Sequence, residues 1–295
     1  FQMPKKIIKF CFFILCLLEI IFFLIHSFTW KNYFIDTVEL WLYKVVVSIV
    51  PMYVFSSILI TIPFISKIFF NIFKPLKLFE NQKALSLFTI SFLTGNPTST
   101  ILVKKAYLNN EISLIQANNI IDSSSHISFL FIILIFDKEI AIILIISQII
   151  ATLILYLTKK RLNPNITNYK NNSILNTVND IIEDLPLVLL KILATMIIVV
   201  IFKLPFIMFN HTFLNYVLDF LEVTTGINNL VNYNIHIYLK LFLCSSLLSM
   251  NGGAILLQVF NVIKKTKLSF RKYLYGRFFH AILSSIISLV ILVLI

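Results

Sequence analysis

Charge is scarce in this chain of 295 residues: Asp, Glu, Lys and Arg together make up 13%, against roughly 25% in a soluble domain. Glycine numbers only 5 and cysteine 3. Thin charge, 59% hydrophobic residues and a mean hydropathy of +0.93 exclude a soluble globular enzyme, because a fold of this size still exposes much of its area to solvent. The 29 phenylalanines exclude a disordered chain, since long apolar runs collapse in water. Cys11, Cys16 and Cys244 are odd in number and lie in apolar runs, which argues against a disulfide framework or a zinc site. Acidic residues are few, 13 against 25 basic ones, leaving a formal net charge of +12. In a soluble protein that excess would suggest nucleic acid; here the bias of short cytoplasmic loops explains it better, and no nucleic-acid partner is expected.

What is there belongs in a bilayer. At about 20 residues per crossing helix the chain allows about seven to nine membrane segments and no separate soluble domain. Phe1 and Gln2 precede Met3 and read as an expression-tag remnant. Residues 3–157 then form a first membrane repeat with a leading helix, 158–184 a hydrophilic linker and 185–295 a second repeat. The run Ile7 to Phe28 is too long for a signal-peptide core and lacks a small-x-small site, so it reads as a retained span. A polar connection, Trp30 to Glu39, follows it. Trp41 to Ile65, with Pro51 and Pro63, reads as a kinked helix. Lys67, Lys74, Lys77 and Lys83 mark a basic connection. The linker is rich in Asn and Lys and holds Pro164. Pro205 to Leu221, carrying Asn210, His211, Asn215 and Asp219, reads as interfacial.

Two apolar segments are interrupted. Ala84 to Val103 breaks at Thr94-Gly95-Asn96-Pro97-Thr98-Ser99, and His236 to Ile263 breaks at Asn251-Gly252-Gly253. Arms of about ten residues are too short to cross alone, which predicts re-entrant hairpins or unwound helices. The two segments superpose without gaps when Gly95 is laid on Asn251. A broken helix frees amides and carbonyls at membrane depth, where they are tolerated only if they line a cavity or bind something. Paired breaks in corresponding halves are the sequence pointer to a transporter site, and loosely packed helix contacts are the alternative. Hydropathy favours inverted halves and charge bias favours parallel ones, so the topology stays open.

The candidate site collects polar groups around these breaks. Thr94, Asn96, Thr98 and Ser99 offer hydroxyls and an amide at the first, with Gly95 and Pro97. Asn251 and Gln258 offer amides at the second, with Gly252 and Gly253. Ser124, Ser125 and His126 form a polar patch ahead of a span, although Ser and Thr also bond back within membrane helices. Arg277 and His280 share one face of the last span. Arg277 either snorkels or clasps an anion bidentately. Asp122 and Glu222 are candidates to carry a coupling ion, H⁺ or Na⁺. No metal-ligand spacing, nucleophile elbow or phosphate loop occurs, so neither an enzyme, a cofactor nor a bound metal is expected.

Thr94-Gly95-Asn96-Pro97, followed by Lys105-Ala106-Tyr107, Ile112-Ser113 through Ala117, and Asp122 to His126, resembles the membrane proteins with a nucleoside-recognition or "Gate" domain, and within them the YlbJ-like sporulation integral membrane proteins. Leu221-Glu222-Val223-Thr224-Thr225-Gly226, Asn251-Gly252-Gly253 through Gln258, and Arg277-Phe278-Phe279-His280 continue the likeness. Asn96, Gln116 and His126 depart from the family pattern, which has an aromatic, Glu and Pro there. The resemblance implies an all-α polytopic membrane protein similar to concentrative nucleoside transporters, with inverted repeats and two re-entrant hairpins. It further implies a secondary transporter or exporter of a small polar, anionic aromatic solute of the dipicolinate kind. A nucleoside or nucleobase permease and a non-transporting assembly or signalling subunit are the alternatives. The expected partners are a small-molecule solute, a coupling ion, the lipid bilayer and, as an open option, further copies of the chain. A bacterial cell membrane is the expected location, the composition being like that of low-GC Gram-positive bacteria.

Overall fold

In a computed structural model, the structure describes residues 5–62, 82–159, 173–208 and 212–294, with isolated positions between 64 and 71. Phe1, Gln2, Pro63, Lys74, Lys77, Lys160, Arg161, Pro164, Asn210 and His211 lie outside the described residues. Every element among the described residues is helical. Six stretches are long and apolar enough to cross a membrane: Ser27–Thr61, Leu114–Ile135, Lys138–Leu157, Ile174–Ile207, Ile237–Ile263 and Phe270–Leu294. The chain is an all-α, multi-pass membrane protein.

Helix α1 (Lys5–Ile25) runs into α2 (Ser27–Leu40) without the expected polar connection. His26 N donates to Phe22 O and Trp30 N to His26 O, both at 2.9 Å, so the helical ladder passes through the joint. Trp30–Glu39 is polar but contains no Gly or Pro, and nothing in it breaks a helix. A π-helical turn, Trp41–Val46, then leads into α3 (Val47–Thr61). Pro51 sits inside α3, where its missing N–H removes one ladder bond just after the widened turn.

The first interrupted segment is a hairpin, α4 (Gln82–Thr94) and α5 (Thr98–Leu108). A broken rod follows, α6 (Leu114–Ser124) and α7 (Phe129–Ile135), and then a continuous one, α8 (Lys138–Leu157). Helix α6 starts at a capping box: Ser113 Oγ accepts from Gln116 N, and Gln116 Oε1 accepts from Ser113 N. The second half begins with α9 (Ile174–Ile207), whose first turns take up the end of the expected linker. Ser173 caps it by accepting from Asn176 N at 3.2 Å. On that hydrophilic stretch, Lys105 at the end of α5 pairs with Asp184, and with Asp180 at 3.4 Å.

Short helices α10 (Thr212–Asp219) and α11 (Val223–Asn232) form a second hairpin, in the region read from sequence as interfacial and polar. Then come α12 (Ile237–Met250) and α13 (Gly252–Ile263), broken only at Asn251, and finally α14 (Phe270–Leu294). The second interrupted segment is thus long enough to cross as one rod, in contrast to the short-armed reading. Two consecutive left-handed residues, Asn251 at φ 70° and Gly252 at φ 64°, make the break, which bends the path without halving it.

Helix α14 is the centre of the packing and touches α12, α8 and α6. Its small residues permit close approach, the usual basis of helix association in lipid. Ser284 Oγ lies 2.6 Å from Ser249 Oγ on α12, and Ser249 donates to Gln148 Oε1 on α8 at 3.0 Å. At Gly276 a Cβ would stand 2.2 Å from the backbone oxygen of Asp122, so only glycine lets α14 lie against the end of α6.

Candidate functional site

Each hairpin tip docks on a neighbouring helix break. At the first tip, Asn96 N donates to His126 O at 2.8 Å, across the interruption between α6 and α7. Gly95 is at φ +66° there, and a Cβ on it would meet Ser128 N at 2.3 Å. Glycine therefore serves both the left-handed turn and the close approach. At the second tip the donors come from the break: Gly253 N bonds Phe220 O at 3.2 Å and Ala254 N bonds Leu221 O at 2.9 Å.

The two breaks meet at one hub. Asn96 and Asn251 each donate from Nδ2 to the Ser125 carbonyl at 2.8 Å and to the Tyr273 hydroxyl at 3.0 Å. Asn96 Oδ1 accepts from Ser99 at 3.0 Å and Thr100 at 2.8 Å, so that amide is saturated. Arg277 is 1% exposed and donates to Ser125 O at 3.0 Å, Asp122 O at 2.7 Å and Ser123 O at 2.6 Å. It caps the C-terminal carbonyls of α6, where a cation is favoured by the helix dipole. The guanidinium neither snorkels outward nor stands open to an anion. Tyr273, one turn before Arg277 on the same face, is the hub residue that motif reading misses; the i, i+4 spacing was its signal.

The remaining candidates divide into two groups. Asn96, Pro97, Glu222 and Gln258 line a cavity between the two hairpins, together with Ser48, Ser128, Thr224 and apolar residues of α3, α9 and α13. Water-sized spheres can be centred in about 30 Å³ of it, room for roughly two waters. Glu222 is the N-cap of α11, its Oε1 accepting from Thr224 N at 2.9 Å and its Oε2 from Thr225 N at 2.6 Å. Gln258 donates from Nε2 to Thr195 on α9.

Outside that cavity, Thr94, Thr98, Ser99 and Ser124 satisfy their hydroxyls within the hairpin or their own helix. Gly252, at φ +64°, and Gly253 serve the second tip. His126 stacks on Phe129 at 5.1 Å with its Nδ1 on Ile127 O, and His280 Nε2 lies 2.8 Å from Thr152 Oγ1. Asp122 pairs with Lys159 at 3.0 Å. The structure places Asp122 and Glu222 in separate surroundings, the first against a lysine and the second on the cavity wall.

Two further ion pairs hold the hairpins. Lys83 pairs with Glu111 at 3.3 Å at the base of the first. Burial lowers the Lys83 pKa, and Glu111 opposes that shift. Lys203 of α9 pairs with Asp219 of the second at 3.3 Å, and Asn229 and Tyr233 also donate to that carboxylate, at 2.8 and 3.0 Å. Burial raises the Asp219 pKa even against the pull of Lys203.

The fold and this hub define a multi-pass membrane protein with two hairpins crossing at broken helices. No protein-family model, no curated protein and no solved structure matches the chain.

Proposed function

We propose that the protein is a secondary membrane transporter for a small polar solute, built in the manner of the nucleoside-recognition, YlbJ-like proteins its motifs resemble. The observation that carries this reading is the paired docking of hairpin tips on helix breaks, around a largely apolar cavity with a few polar groups on its wall. Irregular backbone at membrane depth has a reason to persist where it lines such a cavity. Hairpin, broken rod and continuous rod follow in that order twice: α4–α5, α6/α7 and α8, then α10–α11, α12/α13 and α14. Read as a repeat, this pairs Asn251 with the Ser125 break. On that reading Gly95 corresponds to the second hairpin's tip rather than to Asn251, and the two superposed segments meet at the hub.

With re-entrant hairpins the halves are inverted, and hydropathy and charge agree. Lys104-Lys105, Lys159 and Lys264 to Lys272 then fall on one side of the membrane, as the positive-inside bias favours. A second cavity supports a route to the crossing. Tyr53, Ser57, Lys83, Lys105, Glu111 and Asp180 line it, and it shares α3 and α9 as walls with the first. The crossing itself is closed to anything larger than water, so passage requires one hairpin to move against the bundle.

Counterflow in proteoliposomes tests the reading. Purified protein should move a solute that it also binds, and Asn96→Ala or Asn251→Ala should reduce that flux at least about tenfold by loosening a tip. Wild-type flux equal to that of empty liposomes, for every solute that binds, would refute it.

A further inference from the structure

We propose that the cavity between the hairpins selects a solute that presents N–H donors and is neutral or cationic, and that it rejects carboxylates. This rests on the transporter reading for the site's use, but its argument is the chemistry of the wall. Among the described residues, Glu222 is the only ionisable one lining the cavity, and no described Lys, Arg or His lines it. Arg277, the cation that sequence reading offers to an anion, is absent from the wall and engaged by the carbonyls of Asp122, Ser123 and Ser125.

The assigned orientation of Gln258 agrees with the other contacts of its neighbour Thr195. Thr195 has one hydroxyl hydrogen, and it is directed back to Lys191 O or Ile192 O, at 3.0 and 2.9 Å. With its hydrogen spent there the oxygen accepts, and the group that reaches it is Gln258 Nε2. That leaves Gln258 Oε1, buried and without a partner, on a residue 6% exposed. A buried acceptor left unmade is costly, so an incoming donor gains what the empty site lacks. Glu222 adds a second acceptor: each carboxylate oxygen takes one backbone amide and keeps a lone pair. A carboxylate solute would bring a like charge to Glu222 and no donor for Gln258, and like charges brought together across a contact are strongly disfavoured.

A matched series small enough for the cavity separates the possibilities: methylamine, formamidine, formamide, formate and acetate. Each is titrated into purified wild-type protein by calorimetry and thermal shift. The amine, amidine and amide are expected to bind, at least about tenfold more tightly than either carboxylate. Glu222→Gln should weaken the amine relative to the amide and narrow the gap to the carboxylates. Because Glu222 also caps α11, Gln258→Glu serves as the second variant and should strengthen amine binding. Carboxylates that bind as well as the amines, or no binding by any donor-bearing member, would overturn the proposal. A donor-bearing probe that binds but is not moved across proteoliposomes would leave the charge class standing and defeat the transport reading alone.

Discussion

Replacing Arg277 by leucine would strip the carbonyls of Asp122, Ser123 and Ser125 of the guanidinium that caps them. Charged hydrogen bonds contribute about 1.5–3 kcal/mol each, and buried acceptors left bare add a cost, so a loss of about 3 kcal/mol or more is expected. The measurement is thermal or chemical unfolding in detergent. Arg277→Lys should recover part of the loss, since an ammonium offers donors but not the planar fork. A variant as stable as the parent would show that the cap carries no weight. Arg277 was legible in the sequence as an intramembrane cation, with snorkelling and a polar partner both open. What it faces was not legible, because its partners are carbonyls that every residue owns and that only the end of α6 makes available. Asn96 and Asn251 were legible for the opposite reason, since each stands where an apolar run stops.

Among the elements, the second hairpin is the one most dependent on a single pair. Lys203 and Asp219 are 3% and 2% exposed at their side chains, and they tie α10–α11 to α9. Removing one partner from a buried pair typically costs about 3–5 kcal/mol, whereas replacing both with apolar groups is often neutral. Lys203→Met and Asp219→Leu alone should therefore each destabilise the protein by about that much, and the double variant by markedly less. Unfolding of the three variants measures this coupling, and amide exchange across 212–232 would place the damage in the hairpin. Additive losses would mean that the two side chains act independently. The hairpin itself escaped sequence reading because Asn215, Asp219, Asn228 and Asn229 make the region look like a surface connection. Part of its polarity is consumed internally, Asn229 and Tyr233 both donating to Asp219. The first hairpin was legible because Gly95 and Pro97 interrupt an otherwise apolar run, and composition alone shows that.

At the scale of the whole molecule, the conflict between hydropathy and charge came from one segment. Taking Ile237–Ile263 as two short arms sends the basic cluster Lys264 to Lys272 to the far side; as one rod with a bend at Asn251, it returns that cluster to the side of Lys104 and Lys159. A two-residue left-handed bend and a full re-entrant turn look alike in sequence, because both appear as Asn and Gly inside an apolar run. The difference is length, and the pairing of α12 with α14 makes the long rod the better description. Single cysteines in a background with Cys11, Cys16 and Cys244 replaced test the resulting topology. Asn110→Cys and Lys265→Cys, both at exposed positions, should react with a membrane-impermeant thiol reagent from the same side. Lys138→Cys and Asn234→Cys, also exposed, should react only from the other. Labelling of position 265 from the side of position 138 would return the molecule to the short-armed description of Ile237–Ile263. It would also separate the basic clusters, and it would leave the +12 charge without the loop bias that otherwise explains it.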